Sequence, residues 1–326
     1  MDKIAITMGE PGGIGPEIIV KALFCAEIRN YCSPIVVGDA GVIKKAVKLT
    51  GLPLKVISVS DLSDSKPGAG RIEVLDIKSP REVTMALSLR KGRPSRSSGM
   101  AVVKYIKKAV KLALKKDVKA IVTAPISKES LKMAGYQYHG HTELLAGLTE
   151  TKDFAMMFVS DKLKLALSTV HIPVKEVAAA INEKLVLKVI NLALVGADML
   201  GINNPRIAVA GLNPHAGESG LCGKEEIKAI LPAVRKAQAK GIEVSGPYSP
   251  DVVFYRANKG DFDIVVCMYH DQGLIPFKML AFDKGVNMTV GLPVVRTSPD
   301  HGTAFDIAWK NMADPSSMLE AIKLAS

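Results

Sequence analysis

The sequence has few cysteines, few aromatic residues and no long hydrophobic run. Its four cysteines among 326 residues, Cys25, Cys32, Cys222 and Cys267, form no CxxC pair and no regular spacing. We therefore expect reduced thiols in a cytoplasmic protein and not a disulfide framework. No uncharged apolar run reaches the ~18 residues that span a bilayer, and the first residues lack the pattern of a signal peptide. The sequence thus predicts a soluble protein with no membrane partner.

Aromatic residues make up only 5% of the chain, although its formal net charge is +11. Basic surfaces that bind nucleic acid interleave aromatic residues or carry zinc-finger or RNP-like patterns, and this sequence has neither. Many lysines lie on a predicted helix, Ser98–Lys116, away from its apolar stripe of Val103, Ile106, Val110 and Leu114. We interpret them as a solvated face, and we expect an anionic small molecule rather than nucleic acid as the partner.

Strand-like and helix-like segments alternate along the chain, which predicts an α/β fold with a largely parallel sheet. Two adjoining strands, Phe154–Val159 and Leu163–Val170, are instead typical of an antiparallel hairpin. The length favours two α/β domains, and we expect them to share one sheet with a cleft between them. The other predicted strands are Ile4–Met8, Pro34–Gly38, Lys55–Val59, Ile72–Ile77, Ala120–Thr123, Arg206–Ala210, Asp263–Met268 and Val286–Val290. The predicted helices also include Pro16–Glu27, Ser127–Met133, Lys175–Asn182, Leu185–Leu200, Lys224–Ala239 and Gly302–Ala308.

A glycine-rich turn, Gly9–Glu17, follows the first predicted strand. Its spacing does not match the GxGxxG of a dinucleotide-binding Rossmann fold, and Pro11 removes one amide that could bind pyrophosphate. It also lacks the Gly-Lys-Ser/Thr ending of a nucleotide P-loop. Pro16 suits the first position of a helix. Two interpretations remain open, a tight turn that packs the strand onto the helix and a turn that faces a ligand.

Three of the six histidines follow predicted strands. His171 comes after Leu165–Val170, while His215 and His270 follow the next two strands and have a carboxylate nearby, Glu218 and Asp271 respectively. The carboxyl ends of parallel strands are the usual place for functional groups in α/β sheets. Three imidazole ligands would leave open coordination positions, as a catalytic metal requires. We predict a metal site, although each histidine alone could be an ordinary polar residue.

A second histidine pair stands in Tyr138-His139-Gly140-His141-Thr142-Glu143. On a strand, His139 and His141 would point to one face and could bind a metal. Gly140 and the apolar segment that follows favour a turn before a helix. His141 and Thr142 would then offer donors to an anion at the helix N-terminus, and we prefer that interpretation.

The last part of the chain is rich in polar residues and turns. Lys278, Asn287 and Arg296 lie there, and each alone could be a surface residue. His301-Gly302-Thr303-Ala304 would open the predicted helix Gly302–Ala308, where backbone amides suit an adenine or phosphate group. Asp300 and His301 could equally cap that helix.

Seven motifs carry a family likeness. Over essentially the whole chain the sequence resembles the 4-hydroxythreonine-4-phosphate dehydrogenase family of pyridoxal phosphate (vitamin B6, pyridoxine) biosynthesis. The motifs are ITMGEPGGIGPEI, TAPISKE, GHTELLA, STVHIP, GLNPHAGESG, MYHDQGL and GVNMTVGLPVVRTSPDHGTAFDIA.

The resemblance implies an isocitrate and isopropylmalate dehydrogenase-like fold, which binds NAD without a Rossmann domain. It implies an oxidoreductase that uses NAD or NADP to oxidise and decarboxylate 4-phosphohydroxy-L-threonine to 3-amino-2-oxopropyl phosphate. A sister group with nearly the same motifs acts on D-threonate or D-erythronate 4-phosphate, and that alternative stays open. We expect a cofactor-side domain of residues 1–126 and 280–326, and a metal, substrate and dimerisation domain of residues 127–279.

The resemblance also assigns roles by residue-level match. It implies one divalent metal ion per subunit (zinc, magnesium or cobalt) on His171, His215 and His270, in a homodimer whose active site is shared between subunits. The substrate-binding residues would be His141, Thr142, Lys278, Asn287 and Arg296. The cofactor-binding residues would be Gly12, His301, Gly302, Thr303 and Ala304. Lys278 and either Asp251 or Asp271 are the expected catalytic groups, although each aspartate could instead be the partner of a ligating histidine.

Overall fold

The structure is a computed structural model that describes residues 1–66, 68–77, 92–138 and 140–326. The chain forms two compact units. Residues 1–152 and 292–326 make up the first unit, and residues 153–291 make up the second. Both units are α/β, as expected. The expected division into residues 1–126 with 280–326 and residues 127–279, with the role expected of each part, stays a prediction.

The first unit contains a parallel sheet. Its described strands lie in the order β3-β4-β2-β1-β5-β12, and every neighbouring pair is parallel. Strands β1, β2 and β5 are almost entirely buried, as strands covered on both faces should be. The strands are β1 (Lys3–Thr7), β2 (Ser33–Gly38), β3 (Lys55–Val59), β4 (Arg71–Asp76), β5 (Ala120–Thr123) and β12 (Val295–Pro299).

The described helices of the first unit include one long helix, α4, which confirms the predicted amphipathic segment. Val103, Ile106 and Val110 of the predicted stripe are buried, whereas Leu114 at its end is 49% exposed. The α1 helix has a proline in its first turn, as expected for Pro16. The helices are α1 (Gly15–Phe24), α2 (Ile28–Tyr31), α3 (Ala40–Thr50), α4 (Arg96–Leu114), α5 (Lys128–Met133), α6 (His141–Leu148) and α12 (Ser316–Ala325).

The second unit contains a mixed sheet in the order β11-β6-β7-β10-β8-β9. The predicted hairpin is confirmed, because β6 and β7 pair antiparallel, and β11 also pairs antiparallel with β6. The other neighbours, β7 with β10, β10 with β8 and β8 with β9, are parallel. The strands are β6 (Ala155–Val159), β7 (Lys164–Leu167), β8 (Ile207–Ala210), β9 (Val244–Tyr248), β10 (Ile264–Cys267) and β11 (Val286–Val290).

The core of the second unit lies between its sheet and the helices that flank it. Phe158 and Phe277 pack edge to face with ring centroids 5.8 Å apart, against the buried Leu165 and Cys267. Burial of each such ring contributes about 2–3 kcal/mol before the entropy of ordering is subtracted. The helices are α7 (Val174–Ala180), α8 (Glu183–Met199), α9 (Leu231–Gln238), α10 (Pro250–Asn258) and α11 (His270–Ala281), and one π-helical turn, Glu226–Ile230, precedes α9.

One expectation about the end of the chain is wrong. Gly302–Ala308 is not a helix: residues 302–304 have no regular structure and turns follow, and Ala304 has a φ of 41°. Arg296, for which a surface position is one alternative, is instead buried: it belongs to β12 and is 2% exposed. Strand β9 was also not predicted.

All four cysteines are free thiols, as expected. In the part of the chain that the structure describes, no helix is both long and apolar enough to cross a bilayer.

Candidate active site

In the second unit, the three histidines follow three neighbouring parallel strands. His171 comes after β7, His270 begins α11 directly after β10, and His215 follows β8; in the sheet, β10 lies between the other two. The carboxyl ends of parallel neighbours lie at one edge of a sheet, so this topology gathers the three segments there. The placement is the one expected for each histidine.

The pairing of β7 with β10 continues past both strands and carries His171 towards His270. Ser168 N donates to Cys267 O at 2.8 Å, and Thr169 donates to Met268 O from both its amide (3.1 Å) and its hydroxyl (2.7 Å). The imidazole centroids of His171 and His270 are consequently 5.9 Å apart. Sequence reasoning did not single out Thr169, although a hydroxyl residue just past a strand is a common device for extending the pairing.

His215 lies in a left-handed turn. Five successive residues, 215–219, have positive φ angles between 46° and 83°, and only Gly217 among them is a glycine. The buried carboxylate of Glu226 fixes the start of this turn, because it accepts from the amides of Leu212 and Asn213, each at 2.8 Å. Glu226 was not predicted, since an acidic residue on a helix normally indicates a solvated face.

Carboxylates orient two of the imidazoles. His215 Nδ1 lies 2.8 Å from Glu218 Oε1, and His270 Nδ1 lies 2.6 Å from Asp271 Oδ1. A metal-binding histidine commonly has its other ring nitrogen bound to a carboxylate in this way, which leaves Nε2 as the coordinating atom. The donor chemistry therefore fits a divalent metal ion. The histidines are not assembled as a ready ligand set: within residues 1–66, 68–77, 92–138 and 140–326, no three His, Cys, Asp or Glu side chains are close enough to hold a metal.

Other polar residues of the second unit surround this region. Gln272 donates to Gly211 O at 2.7 Å and accepts from Met268 N at 2.6 Å, so it connects the ends of β8 and β10. Asp251 accepts from the Ser249 hydroxyl, and this bond, aided by nearby His215, lowers its pKa below the usual value. A carboxylate with a lowered pKa is a weaker base, so Asp251 is better suited to stabilise His215 than to remove a proton.

Lys278 and Asn287 lie on different elements of the same unit. Lys278 is on α11 with its ammonium 5.6 Å from the centre of the Phe282 ring. Asn287 is on β11, and its Oδ1 is buried and has no hydrogen-bond partner in the described residues. A buried amide oxygen without a donor is costly, so this atom is a natural contact for a bound ligand.

In the first unit, a buried guanidinium and a buried imidazole nitrogen make up a candidate anion site. Arg296 donates from Nε and Nη2 to Thr123 Oγ1, at 3.1 and 2.7 Å. Burial lowers its pKa from 12.5 to about 9, which Glu143 partly opposes, so the group is still a cation at neutral pH. His141 Nε2 is buried without a hydrogen-bond partner in the described residues, and burial together with Arg296 lowers the pKa of this imidazole well below 6.5.

The helix α6 begins at His141, as the anion interpretation of GHTELLA predicts. Thr142 is buried in its first turn, where helical amides and a hydroxyl can meet an oxyanion. His139, the other member of the considered metal pair, lies outside the described residues.

The glycine turn of the first unit contacts the loop of residues 301–304. Ile14 N donates to Thr303 O at 3.1 Å, and Trp309 Nε1 donates to Pro11 O at 3.0 Å. His301 and Gly302 are exposed, and a Cβ built on Gly302 would meet no atom within 4 Å. An open glycine-containing loop of this kind fits close approach by a dinucleotide, through loop amides and not through the helix N-terminus that the sequence suggested.

Glu10 belongs to this turn and was not predicted as functional. Its side chain is 0% exposed, and neither carboxylate oxygen has a hydrogen-bond partner of ordinary geometry in the described residues. Burial raises its pKa from 4.5 to about 7, which the nearby hydroxyls of Ser98 and Ser130 reduce only in part. The signal that could have found it is an acidic residue in the turn that follows a buried strand.

Known proteins match this chain over nearly its whole length. A 4-hydroxythreonine-4-phosphate dehydrogenase of Desulforapulum autotrophicum is 48% identical, over 99% of this chain and 94% of that protein. A D-threonate 4-phosphate dehydrogenase of Pectobacterium atrosepticum is 47% identical, over 99% of this chain and 98% of that protein. The crystal structure of a 4-hydroxythreonine-4-phosphate dehydrogenase from Klebsiella pneumoniae superposes with a TM-score of 0.89 at 43% identity, covering 99% of this chain and 97% of that one.

The family likeness read from the motifs is thereby confirmed, as is the fold. Residues 30–325 match the family described as pyridoxal phosphate biosynthetic protein PdxA. The similar proteins are dehydrogenases, so the expected enzyme class is confirmed as well. The chain belongs to the pyridoxal phosphate biosynthetic protein PdxA family.

Proposed function

We propose that this chain oxidises and decarboxylates 4-phosphohydroxy-L-threonine to 3-amino-2-oxopropyl phosphate, with NAD or NADP as the hydride acceptor. The observation that carries the proposal is the anion site of Arg296 and His141. A buried guanidinium beside a buried imidazole nitrogen that has no hydrogen-bond partner within the described residues suits an anionic ligand, which would stabilise the cation and meet the free nitrogen. The phosphate or carboxylate of the substrate supplies that anion.

The residues of this site bind and orient the substrate. Arg296 offers a planar guanidinium that suits an oxyanion. His141 remains neutral beside that cation, so it contributes a hydrogen bond and no charge. Thr142 and the first amides of α6 add further donors. The other proposed substrate-binding residues are Lys278 and Asn287, and Asn287 Oδ1 can accept from a substrate hydroxyl or ammonium group.

His171, His215 and His270 would hold one divalent ion, zinc, magnesium or cobalt. When bound, such an ion lowers the pKa of a coordinated hydroxyl and stabilises negative charge on oxygen. Glu218 and Asp271 keep two of the imidazoles oriented. Of the three expected catalytic groups, Asp271 or Lys278 would move the proton in the reaction, because the lowered pKa of Asp251 makes it a weaker base.

The cofactor would lie against the glycine turn and the loop of residues 301–304. Gly302 and the amides of Thr303 and Ala304 would give its phosphates or ribose a surface without large side chains, and His301 lies exposed at the edge of this surface. Gly12, the other proposed cofactor residue, is buried within the glycine turn. Water is excluded on the protein side of the turn, where Ile14 and Met8 are buried.

We also propose a cytoplasmic homodimer whose active site is shared between subunits. An exposed apolar stripe along α11 and just beyond it supports this assembly: Ile275 is 60% exposed, Met279 82% and Phe282 72%. These positions recur at helical spacing and form a face that needs a partner. Lys278 lies on the same helix, so pairing through this face would bring Lys278 near the partner subunit.

A second substrate, D-threonate 4-phosphate, is favoured by one specific observation. The relative named for that substrate is 47% identical, against 48% for the relative named for 4-hydroxythreonine 4-phosphate. Both substrates carry the phosphate, and they differ in having a hydroxyl or an amine at the second carbon. The anion site does not discriminate between them.

The deciding experiment measures NADH formation with each phosphorylated substrate, with and without a chelator. Turnover of 4-phosphohydroxy-L-threonine with the higher kcat/KM, lost on chelation and restored by a divalent ion, is the expected result. Preference for D-threonate 4-phosphate would select the second candidate. Absence of turnover with both would refute the proposal.

A further inference from the structure

The hydroxyl of Thr123 is the described contact that holds one edge of the Arg296 guanidinium. Thr123 is the last residue of β5 and is 0% exposed. Arg296 pairs in register with Ile121, two residues earlier on the same strand, so Thr123 lies diagonally across from it on the same face. From there a single oxygen, Thr123 Oγ1, accepts from both Nε and Nη2.

The chemistry of this contact differs from the usual anchoring of a buried arginine. The Nε–Nη2 edge is one that often binds a carboxylate in a bidentate pair, which would neutralise the cation. Thr123 is uncharged, so it fixes the orientation of the guanidinium at this edge without adding a negative charge there. Glu143 acts on Arg296 electrostatically and only partly opposes the effect of burial.

The neighbouring strand continues this polar face. Thr7, the last residue of β1, pairs in register with Thr123 and is 0% exposed. Its Oγ1 is buried without a hydrogen-bond partner in the described residues, like Nε2 of His141. Buried polar atoms are rarely left without partners, so the carboxyl ends of β1 and β5, together with Arg296 on β12, form a polar face suited to a ligand.

We propose that Thr123 is a positioning residue of the anion site, whose hydroxyl holds Arg296 in the one orientation that binds the phosphate or carboxylate of the substrate. The proposal rests on the proposed function, because it takes Arg296 as a substrate contact. Thr123 acts through Arg296, so its loss should weaken substrate binding and leave cofactor binding unchanged.

Two substitutions test the role. Thr123→Val replaces the hydroxyl by a methyl group of similar volume, and Thr123→Ser keeps the hydroxyl. We expect Thr123→Val to raise KM for the phosphorylated substrate by about 10- to 100-fold, the range for a lost hydrogen bond to a charged group. KM for NAD should not change, and Thr123→Ser should stay within about threefold of the wild type for both KM values.

Thr297→Val is the matched control, because Thr297 is equally buried and donates its hydroxyl to Ala321 O at 2.7 Å, on a strand next to Thr123. Thr297→Val removes one buried hydroxyl hydrogen bond and leaves the contact between Thr123 and the Arg296 guanidinium intact. Loss of substrate affinity of the same size in both valine variants would overturn the proposal, and so would a wild-type KM in Thr123→Val. If Thr123→Val does not fold, Thr123→Ala takes its place, with melting temperatures recorded for every variant.

Calorimetric titration with inorganic phosphate separates this inference from the proposed function. If the wild type turns over neither substrate, the proposed function fails, and weaker phosphate binding by Thr123→Val than by the wild type would still support the role of Thr123. The role of Thr123 is overturned if the wild type and Thr123→Val bind phosphate equally. It is also overturned if the wild type neither binds phosphate nor turns over a substrate.

Discussion

The guanidinium of Arg296 lies close enough to the imidazole of His141 to act on its protonation. Burial is the larger cause of the lowered pKa of His141, and the positive charge of Arg296 lowers it further. At neutral pH Arg296 is therefore a cation, and His141 is a neutral hydrogen-bond donor or acceptor. This relationship makes the anion site testable by spectroscopy without substrate.

His141 is predicted to stay neutral wherever the folded protein persists. The pKa of His141 is lowered on folding, so below pH ~6.5 the unfolded chain binds this proton more tightly than the folded protein does. The free energy of unfolding therefore falls as the pH decreases through that range. Arg296→Gln should raise the pKa of His141, although burial keeps it below the usual value. Nitrogen chemical shifts of the His141 imidazole, followed against pH, measure its protonation in the wild type and in Arg296→Gln. An imidazolium signal for His141 near pH 7 in the wild type would contradict this description.

Arg296→Ala should lower kcat/KM for the phosphorylated substrate by more than ~100-fold, because a charge-assisted contact is lost. Arg296→Lys keeps a charge but loses the planar fork, so it should not restore activity. Steady-state kinetics with each substrate varied separately should show little change for NAD. Normal substrate kinetics in Arg296→Ala would assign the residue to stability alone.

Glu10 should make the protein less stable as the pH rises from ~4.5 through about 7. The folded state holds the proton up to about pH 7, while the unfolded chain releases it near 4.5, so stability is lost across this window by up to about 3 kcal/mol. Glu10→Gln cannot ionise and should lack this loss. Urea unfolding at several pH values gives the free energy of unfolding of the wild type and of Glu10→Gln. If the two pH profiles run parallel, Glu10 does not titrate in this window.

His215→Ala and His270→Ala should each lose bound metal while the fold persists, because each removes one of three proposed ligands from an exposed or partly exposed position. Elemental analysis of purified protein, with circular dichroism for the fold, checks this. His301→Ala is the matched control, since His301 belongs to the first unit and should leave metal content unchanged. Full occupancy in His215→Ala or His270→Ala would refute the assignment.

Met279→Glu should dissociate the proposed dimer by introducing a charge into the apolar stripe on α11. Leu114→Glu, at another exposed apolar position but on α4, should leave the dimer intact. Light scattering in dilute solution gives the oligomeric state of Met279→Glu and of Leu114→Glu. A monomeric wild type would contradict the assembly directly. If the dimer forms, mixing His171→Ala and Lys278→Ala subunits should restore some activity when these residues meet across the interface.

The strands of the fold were largely predictable because their residues are buried and apolar. Lys55–Val59, Ala120–Thr123 and Val286–Val290 have the predicted bounds, and the other predicted strands shift by a few residues at the ends. Strand β12 was missed because Arg296, Thr297 and Ser298 are polar. Inside the protein these side chains have hydrogen-bond partners: Thr123 Oγ1 for Arg296 and Ala321 O for Thr297. Such partners lie far away in the sequence, so hydrophobic periodicity does not reveal them.

The site was predictable by residue type and not by geometry. Histidines after strands indicated the right segments, since the sheet topology gathers them. The left-handed turn at His215 could not be predicted, because residues 215, 216, 218 and 219 are not glycines, and its support comes from Glu226 more than ten positions away. The helix expected at Gly302–Ala308 failed for the related reason that Ala304 and Trp309 adopt positive φ.

The left-handed turn has a consequence for how this protein can change under selection. A non-glycine residue there costs roughly 1 kcal/mol or more relative to glycine, so Ala216→Gly should relieve strain and raise the melting temperature. Heat-selected libraries would therefore be expected to enrich glycine at position 216. The same change frees the backbone next to His215, so a thermostable descendant obtained this way could hold its metal more loosely than its parent. Heat tolerance and metal retention would then be competing traits at one position, and a screen for durable variants would need to score both.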